Sequence, residues 1–350
     1  MTLILSNDDA ETLLPMHECV AALENAYSEL ALGRAASAQR SDAVTTTTRN
    51  DAVYSLKLMG GVLPSAGVGA VRLNSDIISF GEQRQVKLPL APGDRYTGLV
   101  LLFSTQTGEP LAIFPDGVLQ RLRVGAASAL GAKYLARGDA TTVGLIGAGW
   151  QAGAQVMAIT ALRKIERIRC YSPTRERREA FCAELSEKTG VSMQPASTPE
   201  GAVRNADIVL CATNAAAHVF FERWLEPGMH VGTIRGPELA PEAVRRADVV
   251  AIHDRSARAH ITATRDVVMP KVRHTIAGLD DVMASAPTLG ELVAGMAEGR
   301  RSAEQTSCFL NLSGIGLQFA AAGAALYRKA RAAGAGRELP GEWFTEDVLP

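Results

Sequence analysis

The stretch Val143-Gly-Leu-Ile-Gly-Ala-Gly-Trp-Gln-Ala-Gly153 restricts the fold more than any other part of the chain. Val143 to Ile146 reads as a short buried strand, Gly147 to Gly149 as a tight turn, and Gln155 to Leu162 as a helix. Strand, glycine turn and helix open a dinucleotide-binding βαβ unit. In such a unit Gly147 makes the turn, Gly149 lets the backbone approach a pyrophosphate, and the small Ala152 lets helix and strand pack closely. The free N–H groups and dipole of the helix start attract the phosphates. The expected cofactor contacts here are Gly147, Ala148, Gly149, Trp150 and Gln151. The bland alternative is a purely structural strand–helix turn.

The surrounding pattern strengthens the dinucleotide reading. Downstream, strand-like segments at 168–171, 191–194, 207–213, 229–234 and 248–253 alternate with helical ones at 176–188 and 199–204. That alternation predicts an α/β fold, a Rossmann-type doubly wound parallel sheet with helices on both faces. Ligands bind such sheets at the carboxyl ends of the strands, so Thr213 and Asn214 are expected to border the nicotinamide. Upstream, Leu13, Met16, Val20, Leu23, Tyr27 and Leu30 recur at helical spacing over 13–32. Strands are expected at 43–48, 53–59, 69–74, 98–104 and 111–115, with turn signals that include Gly60-Gly61 and Thr107-Gly-Glu-Pro110. This is the pattern of a largely antiparallel sheet in a separate α+β domain. An alanine-rich helix over 121–137 leads into the nucleotide domain. An apolar helix over 313–333, stopped by Gly334, is expected to pack back on the N-terminal part. The expected boundaries are 1–122 for the first part of the substrate and dimerisation domain, 123–305 for the inserted nucleotide domain, and 306–350 for the helix that completes the former.

Composition excludes several partner classes. A net charge of −1 offers no global field for nucleic acid, and no apolar run reaches membrane-span length. The N-terminus lacks a basic region and turns acidic at Asp8-Asp9, unlike a signal peptide. Five scattered cysteines without a C-x-x-C read as buried free thiols in a cytoplasmic protein, and the six histidines show no metal-ligand spacing. No metal site is expected.

The residue that ends the second strand of this fold chooses between cofactors: an acid there accepts the ribose hydroxyls of NAD, whereas arginine nearby suits a 2′-phosphate. Here the segment is Tyr171-Ser-Pro-Thr-Arg-Glu-Arg-Arg178. Ser172, Thr174 and Arg175 offer hydroxyls and a guanidinium fork, so NADP(H) is favoured over NAD(H). The competing reading makes Arg175, Arg177 and Arg178 a solvated helix face, with Glu176 blunting the preference.

Leu122-Arg-Val-Gly-Ala-Ala-Ser-Ala-Leu-Gly-Ala-Lys-Tyr-Leu-Ala-Arg137 followed by Gly147-Ala-Gly-Trp-Gln-Ala152 resembles the ornithine cyclodeaminase/mu-crystallin family. Thr107-Gly-Glu-Pro-Leu-Ala112, Ala206-Asp-Ile208 and Glu238-Leu239 fit it as well. The resemblance implies an NAD(P)-binding domain inserted in a substrate domain, homodimers formed through the latter, and hydride chemistry at the α-carbon of amino and imino acids. It also implies that Arg123 grips the substrate carboxylate, a role suited to a planar fork that keeps its charge. Arg40 matches a further substrate-side arginine. Arg72 stands where the family usually has lysine. Lys57, on a neighbouring strand, is either a titratable amine for the site or a snorkelling surface lysine.

Two further departures bear on chemistry. The loop Gly232-Thr-Ile-Arg-Gly-Pro-Glu-Leu239 is short and lacks the aspartate that the cyclodeaminases carry there; Glu238 matches a structural Glu-Leu pair. Phe319 stands where the family usually has aspartate. Both argue against ornithine cyclisation and leave hydride transfer intact. The expected function is an NAD(P)H-dependent oxidoreductase acting on a small carboxylate-bearing imine or amino acid, of the ketimine reductase or amino-acid dehydrogenase type. A lyase with tightly bound NAD and a crystallin-like NADPH-binding protein are the alternatives. Several arginines in one site would also fit a substrate with two carboxylates.

Overall fold

The computed structural model describes residues 1–80, 85–255, 259–267, 276 and 278–346. The chain forms two compact units. The first comprises Met1–Arg123, Ser256–Lys271 and Ile315–Pro350; the second comprises Val124–Arg255 and Val272–Gly314.

In the second unit seven strands form one wholly parallel sheet, in the order Ser192–Pro195, Arg167–Tyr171, Thr142–Ile146, Ile208–Cys211, His230–Thr233, Ser307–Leu310 and Val249–Ile252. The side-chain period of two sorts these strands onto two cores. Val143, Leu145, Ile208 and Leu210 face Ala152, Val156 and Phe181 on one side. Ile146, Val209, Cys211 and Val231 face Phe220, Trp224 and Leu239 on the other. Burial on both faces is what the middle of a parallel sheet requires, and it explains why Thr142–Ile146 and Ile208–Cys211 read as near-continuous apolar runs. The strand Ser307–Leu310 lies between His230–Thr233 and Val249–Ile252. This corrects the expectation that the chain has left this sheet by residue 305. Four fully buried residues supply the strand, too few to show a period on their own.

His230 opens one of these strands and is completely buried. Ser307 Oγ donates to the Leu135 carbonyl at 2.8 Å, so the His230 Nδ1–H must be the donor in its 2.9 Å contact with Ser307 Oγ. Nε2 has no partner. Burial, followed by the nearby Arg300 and Arg163, pushes the imidazole pKa down to about 3. The unfolded chain therefore takes up a proton below about pH 6.5 that the folded protein refuses until near pH 3. Stability from this group is complete above pH 6.5 and falls on acidification by about 1.4 kcal/mol per pH unit. A His230→Gln variant is expected to show a shallower loss of urea midpoint between pH 7 and pH 5 than the wild type. Parallel slopes for the two proteins would refute this.

The first unit is built on a ten-stranded mixed sheet. Its main path runs His260–Ala263, Ser41–Thr46, Ala52–Leu63, Val68–Phe80, Thr97–Ser104, Pro110–Pro115, Thr2–Ile4 and Arg337–Leu339. The long central strands are antiparallel; His260–Ala263 and Thr2–Ile4 each join a neighbour in parallel. The helix expected over 13–32 is Met16–Ala31, and a short helix that was not expected, Asn7–Leu13, precedes it across Leu14-Pro15. Gly60-Gly61, expected as a turn, lies inside the strand Ala52–Leu63. The reason is tertiary. The helix Gly316–Ala333 meets the strand backbone to backbone there, and a Cβ on Gly61 would overlap Leu317 while one on Gly316 would overlap the Gly60 carbonyl. Glycine on both sides permits an approach that any side chain forbids. That approach brings Gln318 and Phe319, on the first turn of the helix, down onto the sheet.

Candidate functional site

The glycine turn of the second unit ends the strand Thr142–Ile146. Gly147 has φ +121°, a conformation closed to L side chains, and a Cβ on it would overlap the Ala212 carbonyl oxygen. Its N–H is held by the Tyr171 carbonyl at 2.8 Å. Gly149 is the N-cap of the helix Trp150–Leu162 and carries no side-chain cap; a Cβ there would meet nothing within 4 Å. The helix therefore opens without a side-chain cap, beside empty space. Gln151 Oε1 is buried without a partner at the same place. An uncapped helix start, its dipole and room for a group to approach are the features that accept a pyrophosphate.

This turn forms one wall of a cleft of about 650 Å³. Gly147, Ala148, Gly149, Trp150, Gln151, Ser172, Thr213 and Asn214 all line it, as do Arg177, His218 and Arg235. No carboxylate is among the described residues that line it. Arg175 is not among them: its side chain is 73% exposed and its Nε is bonded to Glu179 at 2.8 Å, one helical turn on. Thr174 is the N-cap of that helix and is also outside the cleft wall. Arg177, noted in the sequence only as part of an exposed face, lines the cleft, and Arg175 does not. Helical rotation decides this, since residues two apart point to different sides.

Glu238 ties the far end of the cleft together. It is fully buried and accepts from the Thr213 N–H at 2.5 Å, the Thr213 hydroxyl at 2.9 Å, the Thr233 hydroxyl at 2.6 Å, and the N–H groups of Ile234 and Arg235 at 3.0 Å each. Burial raises its pKa and these donors oppose the rise. All its lone pairs are engaged, so it holds the loops after two strands in register rather than reaching into the cleft. His218 Nδ1 lies 2.9 Å from the Pro237 carbonyl; a carbonyl can only accept, so Nδ1 carries the proton and donates.

The first unit gathers the other predicted residues. In the antiparallel register Met59 opposes Arg72, and Lys57 opposes both Asp42 and Asn74, so these side chains share one face of the sheet. Arg40 forks onto Asp42 at 2.7 and 2.6 Å. Lys57 Nζ lies 2.6 Å from Asp76, which also takes Lys87 at 2.9 Å. Lys57 is buried, not a snorkelling surface lysine, and burial lowers its pKa. Arg72 bonds Asp116 through Nε at 2.7 Å and Gln120 through Nη2 at 2.8 Å. Arg123 differs from these three. It is 7% exposed, its Nη1 donates to Gln318 at 3.0 Å, and its Nε has no partner. Arg72 and Arg123 both lie over the ring of Phe319, at 5.4 and 5.3 Å from its centroid. Burial, and then the charge of Arg72, lower the Arg123 pKa to about 10, so it stays protonated at neutral pH.

The model of the ornithine cyclodeaminase/mu-crystallin family matches residues 1–334. The chain belongs to that family. A Δ1-pyrroline-2-carboxylate reductase of Bacillus cereus is 28% identical over 343 residues, covering 96% of this chain and 99% of the relative. Among solved structures, the Thermococcus litoralis Δ1-pyrroline-2-carboxylate reductase in complex with NADH and L-proline superposes with a TM-score of 0.77 at 25% identity, covering 97% of this chain and 100% of that one. An archaeal alanine dehydrogenase dimer with bound NAD gives 0.79 at 25% identity, covering 97% and 99%. The chain is an enzyme, an NAD(P)H-dependent oxidoreductase of imino or amino acids, with a Rossmann-type unit and a second α+β unit. Among the described residues no helix is long and apolar enough to cross a membrane.

Proposed function

We propose that this enzyme reduces imines that carry a carboxylate on the imine carbon, with NADPH as the preferred hydride donor and a small cyclic imine such as Δ1-pyrroline-2-carboxylate as the substrate class. Arg123 carries the reading: it is a buried guanidinium that no carboxylate of the described residues neutralises. Such a charge is costly until an anion arrives, and a fork that bonds a carboxylate twice fixes the orientation of the adjacent carbon. Orientation of this kind supplies a large part of catalysis. When bound, the nicotinamide supplies the hydride. The chain's own residues do the rest: Arg123 binds and orients, Glu238 holds Thr213 in place, and Gly147 to Gln151 seat the phosphates. A protonated imine accepts hydride without a strong acid. That fits a loop at 232–239 whose one carboxylate is fully engaged, and it disfavours the lyase reading.

The preference for NADPH rests on Ser172 and Arg177 in a cleft wall without a carboxylate. Arg177→Ala is expected to weaken NADPH about tenfold to a hundredfold, the scale of a charge-assisted phosphate bond, and to leave NADH within about twofold. Arg175→Ala should change neither. Equal losses for both cofactors in Arg177→Ala would remove the basis for the preference. A homodimer formed through the first unit is part of the proposal, as is a reducing cytoplasm, which suits five buried free thiols. Light scattering of the purified protein tests the dimer; a monomer at micromolar concentration refutes it.

The deciding assay follows NADPH absorbance with Δ1-pyrroline-2-carboxylate, alongside ammonia release from L-ornithine. Cofactor oxidation without ammonia release is expected. Ammonia release with no net change in cofactor would reinstate the cyclodeaminase reading. Tight NADPH binding without turnover on any imine would favour a crystallin-like role.

A further inference from the structure

Arg175, Arg177 and Arg178 lie in the first turn of the helix Arg175–Thr189, and their side chains go three ways. Arg175 is exposed and bonded to Glu179, and Arg177 lines the cleft. Arg178 turns inward. Its guanidinium lies 5.8 Å from the centroid of the Tyr171 ring, and its Nη1 donates to the Ser172 carbonyl at 2.8 Å. Its Nε is buried and has no partner among the described residues. Ser172 stands between Tyr171, the last residue of its strand to pair in the sheet, and Thr174, the N-cap of the helix. The Tyr171 carbonyl takes the Gly147 N–H at 2.8 Å, and the Thr174 carbonyl takes the Arg178 N–H at 3.1 Å. The carbonyl of Ser172 is thus held by a side chain, not by the sheet or the helix.

We propose that Arg178 is a positioning residue that sets the choice of cofactor at the adenosine end of the cleft, favouring a ribose 2′-phosphate and disfavouring a free 2′-hydroxyl. This rests on the reading of the cleft as the cofactor site, with Ser172 and Arg177 on its 2′-phosphate side. Two effects act in the same direction. A phosphate carries up to about two negative charges, so a second guanidinium behind Ser172 adds an attraction that NADH does not feel. A 2′-hydroxyl gains most from an acceptor. The Ser172 carbonyl is already spent on Arg178, and no carboxylate is among the described residues that line the cleft. Glu176, the acid between Arg175 and Arg177, is exposed and outside the cleft wall. Neither effect requires Arg178 to touch the cofactor. It places Ser172 and adds its charge from behind. An arginine suits this post because one planar group packs over the Tyr171 ring and donates to the carbonyl at the same time.

The test measures dissociation constants by calorimetry on the full chain. The ligands are NADPH and NADH, together with adenosine 2′,5′-bisphosphate and adenosine 5′-monophosphate, which lack the nicotinamide and so report on this end of the cleft alone. Arg178→Met keeps volume against Tyr171 but loses the charge and the donor. It is expected to weaken NADPH and adenosine 2′,5′-bisphosphate about tenfold each, and to leave NADH and adenosine 5′-monophosphate within about twofold or bound more tightly. Arg178→Lys keeps the charge and a donor, and should cost the phosphorylated ligands no more than about threefold. A merely structural role would weaken all four ligands alike, and that result overturns the proposal. So does an unchanged ratio in Arg178→Met, or a loss in Arg178→Lys as large as in Arg178→Met. If Arg178→Met does not fold, Arg178→Gln takes its place with the same expectations. A wild type that binds NADH as tightly as NADPH would end the cofactor preference stated above, whereas a selective loss of 2′-phosphorylated ligands in the variant would still uphold the role of Arg178. A wild-type preference for NADPH with equal losses in the variant would do the reverse.

Discussion

Arg123→Met is expected to lower kcat/KM for Δ1-pyrroline-2-carboxylate by about two to three orders of magnitude, the scale of a lost buried charge pair, while NADPH affinity stays within about twofold. The same substitution is expected to raise the melting temperature of the free protein. Both effects have one cause. Arg123 is desolvated and lies beside Arg72, and among the described residues no carboxylate forms an ion pair with it. Without substrate that arrangement is strained, and removing an uncompensated buried charge relieves it. Methionine keeps most of the volume over Phe319, so no cavity opens. Gln318 Oε1 keeps the Ile315 N–H at 3.1 Å and is not left unsatisfied. A rise of a few degrees is about what 1–2 kcal/mol produces in a domain of this size. Steady-state kinetics, NADPH titration and a thermal melt check the three parts together. Unchanged kcat/KM, or an equal loss of cofactor binding, would end the assignment of Arg123 as the substrate's anchor.

Gly147→Ala is expected to reduce NADPH affinity at least about a hundredfold and to cost about 3 kcal/mol or more of stability. At φ +121° any side chain is strained, and this one also collides with the Ala212 carbonyl. To relieve the collision the ends of two neighbouring strands must separate, at the point where the phosphates are to be seated. Gly149→Ala is the informative companion. Its φ of −107° is ordinary and its Cβ meets nothing in the free protein. Stability should change by less than about 1 kcal/mol, whereas a methyl group in the space reserved for phosphate should still weaken NADPH. The two variants separate the glycine that makes the turn from the glycine that clears the site. Tight NADPH binding by both would mean that the dinucleotide lies elsewhere.

How far these residues could be read in advance depended on the range of the interactions that place them. The glycine turn is a local matter: strand, positive φ and helix start lie within a dozen residues, and each leaves its mark on composition. Six of the seven strands of the parallel sheet were legible over similarly short stretches. The arginine that lines the cleft was legible only to within a turn of helix. Arg175 and Arg177 are both plausible in the sequence, and the docking of the helix on its sheet turns one to Glu179 and the other to the cleft.

The state of the charges was not legible at all. Arg40, Lys57, Arg72 and Arg123 stand out in the sequence as potential anion binders. Nothing local says that Asp76 is 19 residues from the lysine it holds, or that Asp116 is 44 from its arginine. Strand register and one helix start bring those carboxylates in. The same long-range packing puts Gly60-Gly61 inside a strand and slips Ser307–Leu310 between two strands far from it in sequence. Backbone conformation and hydrophobic period act over a few residues and are therefore written in the order of the chain. Neutralisation and burial depend on which distant groups arrive at the same place, and that is decided only when the sheets close.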